Sequence, residues 1–172
     1  GLGEFLRTMP AQYKRLLGNI QEGSNLKKFP EGRTKIIGVS DGLVKNGEGS
    51  AGYVLLEKTK DERRLEGTLP VDGAPEKMHS YRTELAGILA TLLAIRAVLS
   101  ESTNSQITGT VYCDNMRAVQ RLNELDRNYP NTVKEANEEE HEHLFEINKQ
   151  RKQLPTLNLE WVMGHVRHPT TP

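Results

Sequence analysis

The chain has 172 residues, with 23 Lys+Arg balancing 23 Asp+Glu for a net charge of zero; it is long enough to bury a core without disulfide or metal staples. Neutrality argues against a surface built solely for electrostatic grip on nucleic acid, which carries a strong basic excess, but leaves room for an enzyme whose acids offset its basic residues. The single cysteine, Cys113, excludes an internal disulfide and fits a reducing, intracellular compartment (cytoplasm or nucleus), and the longest apolar stretch, Leu85 to Leu99, is broken by Gly87, Thr91 and Arg96, which excludes a membrane span.

The chain opens on Gly1-Leu2-Gly3, with neither an initiator Met nor a signal peptide, and reads as a piece of a longer chain fused to other domains. Residues 1–33 form a region apart. Thr8-Met9-Pro10 offers a cap and a first-turn proline, and Tyr13, Leu16, Leu17 and Ile20 follow at helical spacing. Gly23, Ser24, Pro30 and Gly32 then break the pattern, giving an amphipathic helix and a linker from a preceding region.

Residues 34–172 read as one domain. Ile36-Ile37-Gly38-Val39 predicts a central strand ending on Asp41-Gly42. A glycine-rich turn (Asn46, Gly47, Gly49) leads to a second strand, Ala51 to Leu56, and Arg63 to Leu69 predicts a third. Their short connections favour an antiparallel meander. His79 to Leu99 is the strongest helix signal, with Ser80 as N-cap and leucines and isoleucines covering more than half the circumference. Ile107 to Cys113 predicts a fourth strand, followed by a helix from Asn115 to about Asp126. Pro130-Asn131 opens a last helix to about Gln153, acidic in its first half (Glu135, Glu138, Glu139, Glu140, Glu142) and basic at its end (Lys149, Arg151, Lys152), which complements the helix dipole. Leu157 to Val162 alternates as a fifth strand. The crossover through the long helix allows strand four to lie parallel to strand one. The expected fold class is therefore α/β: a five-stranded mixed sheet, strands one to three antiparallel, four and five extending it in parallel, flanked by helices.

On that scaffold Asp41 ends strand one and Asp114 ends strand four. As parallel neighbours they emerge together at a carboxyl edge, where open α/β sheets bind ligands. Glu84, in the first turn of the long helix, reaches the same edge when the helix packs on the sheet, and His165 follows strand five. Like charges held that close call for a cation. Carboxylate oxygens suit Mg²⁺ or Mn²⁺, and two such ions can activate a water and stabilise the leaving oxygen in phosphodiester hydrolysis.

Ile37-Gly38-Val39-Ser40-Asp41-Gly42 with its glycine-rich turn, Tyr81-Arg82-Thr83-Glu84-Leu85, Val111-Tyr112-Cys113-Asp114-Asn115 and Trp161-Val162-Met163-Gly164-His165 resemble, in order, the motifs of type 1 ribonuclease H over roughly residues 34–168. The Ser80 to Leu85 segment and the upstream Met9-Pro10 to Leu16-Leu17-Gly18 segment resemble the ribonuclease H domains of retroelement reverse transcriptases. The resemblance implies a ribonuclease H-like fold and a metal-dependent endonuclease that hydrolyses the RNA strand of RNA–DNA hybrids, as part of a reverse transcriptase polyprotein. Asp41, Glu84 and Asp114 would be catalytic acids holding two Mg²⁺ (or Mn²⁺) ions. His165 would lie on a loop that assists proton transfer or product release. Gly47, Gly49 and Ser50 would let the backbone approach the minor groove, where 2′-hydroxyls mark RNA, with Arg82 and Asn115 as further nucleic-acid contacts.

Two features depart from the family pattern. No acid follows His165, where the family carries a fourth on a closing helix, so the domain reads as truncated at its C-terminus; and Leu43 stands where a small polar residue is usual. Two alternatives stay open: a catalytically silent binding or connection module, and an integrase- or transposase-type DNA nuclease of the same superfamily. Of the remaining residues, Cys113 reads as a small buried hydrophobe and Trp161 as core. His141 and His143, two positions apart on a helix, point to different faces and read as solvated.

Overall fold

The computed structural model describes residues 33–57, 63–100 and 106–163. The predicted N-terminal helix, its linker and His165 lie outside those residues. Five strands, β1 (Arg33–Lys45), β2 (Glu48–Glu57), β3 (Arg63–Val71), β4 (Gln106–Cys113) and β5 (Leu157–Trp161), form one sheet of order β3-β2-β1-β4-β5. β1–β2 and β2–β3 pair antiparallel, and β1–β4 and β4–β5 pair parallel, as the mixed sheet was expected to do. The helices are α1 (Ser80–Ser100), α2 (Met116–Glu124), α3 (Val133–Ala136) and α4 (His141–Lys152), with a 3₁₀ turn at Pro75–Lys77.

Alternation decides which face of the sheet meets the helices. In β2, Ala51, Tyr53 and Leu55 are buried while Gly52, Val54 and Leu56 are only partly covered, the period-2 pattern of a strand packed hard on one side. α1 supplies that cover. It packs on β1 and β2 and carries α4 on its other flank. Leu85, Ile88, Leu89, Ile95 and Val98 are fully buried between the two layers, with Leu144 and Ile147 of α4 completing the core.

Three boundaries differ from the expected ones. β1 does not end at Asp41-Gly42 but runs on to Lys45, because the hairpin turn is Asn46-Gly47, whose φ values of 53° and 77° suit a tight two-residue loop. At the start of α1, Ser80 is already helical; the His79 ring takes the capping role, Nδ1 accepting from the Arg82 amide at 3.3 Å. Glu84 accordingly lies in the second turn, and the first turn holds no acid. Finally, the single helix expected from Pro130 to Gln153 is split. Residues 137–140 leave the helix, and Glu140 adopts φ 61°, because the acids there face different partners: Glu138 meets Arg121, Glu139 meets Arg117 and His79, and Glu140 meets Arg82. An unbroken helix cannot aim consecutive side chains that way.

Candidate active site

The parallel ladder between β1 and β4 ends at the pair Ser40–Cys113. The next residue on each strand is an acid, Asp41 and Asp114. β1 continues beside β2 while β4 stops, so the two acids stand where the strands part. Asp41 is therefore inside β1 rather than at its end, yet still at the end of the parallel pairing that brings Asp114 alongside.

Glu84 arrives from α1, and Gly42 makes room for it. A Cβ at Gly42 would lie 2.6 Å from the Thr83 carbonyl carbon and 2.7 Å from the Glu84 nitrogen. With hydrogen there instead, the Gly42 amide donates to Glu84 Oε1 at 2.6 Å and lies 3.0 Å from Asp41 Oδ1. The other Glu84 oxygen, Oε2, accepts from the Cys113 thiol at 3.1 Å. The Asp114 carboxyl lies close to that of Glu84. Ligand atoms of Glu84, Cys113 and Asp114 lie within 4.8 Å of one another, the one such group among the described residues. Asp41 stands outside that trio, exposed on its rim and joined to it through Gly42.

Burial of Glu84 and its closeness to Asp114 push its carboxyl up to about 8. Burial, and then Glu84, also push the Cys113 thiol up, which keeps it an S–H donor rather than a thiolate ligand. The chemistry of this donor set fits a divalent cation. Hard carboxylate oxygens in contact need a neutralising charge, a proton is the one they otherwise hold, and Mg²⁺ or Mn²⁺ prefers such oxygens.

The remaining predicted contacts fall at different places. Gly47, Gly49 and Ser50 lie on the β1–β2 hairpin beside a cleft of about 660 Å³ lined by Leu43, Lys45, Thr68 and Pro70 among others. Asn115 caps α2, its Oδ1 accepting from Ala118 N at 2.9 Å. The Arg82 guanidinium grips both Glu140 oxygens at 3.0 and 3.1 Å and the Asp72 carbonyl at 2.7 Å.

Sequence reasoning missed two residues beside the acids. Cys113 is buried as expected but binds Glu84; its position next to Asp114 was visible, its partner was not. Trp161 is 38% exposed rather than core, because β5 is the edge strand and Trp161 its last residue; its indole N–H donates to the Asp114 carbonyl at 3.0 Å. Nor are the two histidines simply solvated: His143 Nδ1 lies 2.8 Å from Glu140 Oε1 and its side chain is largely buried, while His141 packs against Tyr129.

No family model and no curated protein matches the chain. Among solved structures it is similar to the N-terminal ribonuclease H domain of a Mycobacterium tuberculosis protein fused to maltose binding protein (18% identity, 75% of this chain and 82% of that one, TM-score 0.47). It is similar also to the protease-reverse transcriptase of prototype foamy virus (15% identity, 80% of this chain and 18% of that one, TM-score 0.48). A third is the ribonuclease H1 of the halophilic archaeon Halobacterium salinarum (14% identity, 78% of this chain and 89% of that one, TM-score 0.46). No helix among the described residues is long and apolar enough to cross a membrane.

Proposed function

We propose that this chain is a divalent-metal-dependent endonuclease that hydrolyses the RNA strand of an RNA–DNA hybrid, within a retroelement reverse transcriptase. One observation carries the reading: Glu84 of α1 lies beside Asp114 at the end of β4, and the Gly42 amide that donates to Glu84 also lies 3.0 Å from Asp41 Oδ1 on the rim. Their order and surroundings in the sequence resemble the ribonuclease H motifs.

In this reading Asp41, Glu84 and Asp114 would hold Mg²⁺ or Mn²⁺, which would supply Lewis-acid activation of water and neutralise phosphate charge when bound. The chain's own part is preorganisation. The Gly42 amide and the Cys113 thiol fix both oxygens of Glu84, so its carboxylate needs no reorientation. Asp41 is exposed on the rim, Asp114 is partly exposed and Glu84 is buried, so a phosphodiester would approach from the Asp41 side. The Asn46–Ser50 hairpin and its cleft offer backbone to a wide minor groove, where 2′-hydroxyls distinguish RNA from DNA. His165 would assist proton transfer or product release from beyond β5.

The test is cleavage of an end-labelled RNA strand in a hybrid, with Mg²⁺ or Mn²⁺ and an EDTA control. We expect metal-dependent cutting of hybrid but not of duplex DNA, lost in Asp114→Asn while the circular dichroism spectrum stays unchanged. Cutting of duplex DNA would favour the integrase-type alternative. Equal cutting by Asp114→Asn would sink the site assignment, and absence of cutting in every metal would favour a silent binding module.

A further inference from the structure

Asp114 sits one residue beyond β4, where the sheet no longer holds the chain. The ladder's last backbone bond there runs from the Val162 amide to the Cys113 carbonyl, at 3.0 Å. The following carbonyl, that of Asp114, is taken by a side chain instead: the Trp161 indole N–H donates to it at 3.0 Å. Trp161 lies opposite Cys113 in the parallel register, so its backbone is fixed by β5 while its indole reaches one residue further along β4. The Trp161 side chain is 38% exposed at the strand end. Its bond fixes the peptide that carries an acid whose carboxyl lies beside that of Glu84.

The geometry points to Trp161 as a positioning residue of the acidic site: its indole N–H extends the β4–β5 ladder by one residue and so holds the Asp114 carboxylate where it meets Glu84. This deepens the reading above, because it takes Asp114 as a metal ligand. It also makes the chain's single tryptophan a reporter of that ligand.

The experiment measures Mg²⁺ affinity of the whole chain by calorimetry, for the unmodified protein, for Trp161→Phe, and for a chain carrying benzothienylalanine at position 161. That analogue keeps the bicyclic shape and replaces only the N–H with sulfur. Both changes should weaken Mg²⁺ binding roughly three- to tenfold, the range set by the net worth of one hydrogen bond. Melting temperatures in EDTA of the benzothienylalanine chain should fall by only the few degrees that one lost hydrogen bond explains. In hybrid cleavage the Mg²⁺ midpoint should rise by the same factor with KM for hybrid unchanged, and tryptophan emission of the unmodified protein should shift as Mg²⁺ is added. Unchanged Mg²⁺ affinity in the benzothienylalanine chain overturns the proposal whatever Trp161→Phe does to stability. A protein that binds Mg²⁺, shows the variant defect, and leaves hybrid uncut overturns the nuclease reading alone. No Mg²⁺ binding by the unmodified protein overturns both.

Discussion

Gly42 carries a hydrogen where any other residue would place a carbon against the backbone of Thr83 and Glu84. Neither neighbour is the movable end of a side chain. Gly42→Ala should therefore push the start of α1 off β1 and cost about 1–3 kcal/mol, the usual range for overpacking. It should also lengthen the bond from the Gly42 amide to Glu84. Since a displacement of about 1 Å near reacting groups can cost on the order of 10²-fold, we expect cleavage to fall by at least about tenfold, more than the stability loss explains. Urea titration and the hybrid assay on the same preparation check this; an active, fully stable alanine variant would show that α1 need not sit so close.

At the scale of elements, the turn between α3 and α4 is held by charge. Arg121 of α2 binds Glu138 through Nε at 3.0 Å and through Nη2 at 2.6 Å, and reaches Glu135 at 3.2 Å; Glu138 also accepts from the Tyr129 hydroxyl at 2.9 Å. A lone exposed ion pair contributes about 0–1 kcal/mol, but here one forked cation joins two carboxylates of a partly buried network. Arg121→Ala should cost about 1–2 kcal/mol, because it leaves like charges side by side. Arg121→Lys should recover only part, since an ammonium cannot reproduce the fork. Denaturant midpoints of the two variants decide it, and equal midpoints would mean that the fork contributes nothing. In the same network Arg82, Arg117 and Arg121 are each matched by an acid from residues 135–140.

For the whole molecule, the acidic site sets how stability responds to pH. Folding raises the Glu84 carboxyl from its ordinary value near 4.5 to about 8. The folded state thus holds a proton that the unfolded chain releases, and the stability tied to it is complete below about pH 4.5 and lost as pH rises through 8. Glu138 and Glu140 work the other way. Arg121 holds the Glu138 carboxyl low, and His143 with Arg82 outweighs burial to lower Glu140, so their contribution fades on acidification. In EDTA the free energy of unfolding should therefore decline from about pH 5 to pH 8, Glu84→Gln should flatten that decline, and Mg²⁺ should restore stability at pH 8. Urea midpoints across that range are the measurement. A decline of equal slope in Glu84→Gln would place its cause elsewhere.

The sequence by itself determined the strands, the long buried helix, their order and the mixed pairing, because hydrophobic period and crossover length are properties of consecutive residues. It also singled out Asp41, Glu84 and Asp114, since each sits in a local motif beside a predicted element. Where β1 ends was misread because Asp-Gly and Asn-Gly are both turn signals, and only pairing with β2 chose the second. The split of the last helix, the commitment of Arg82 to Glu140, the thiol on Glu84 and the indole on Asp114 were decided by tertiary structure alone. In each case the partner lies far away in the chain, and which side chains meet across elements depends on strand register and on how closely a helix approaches its sheet, which no local pattern encodes.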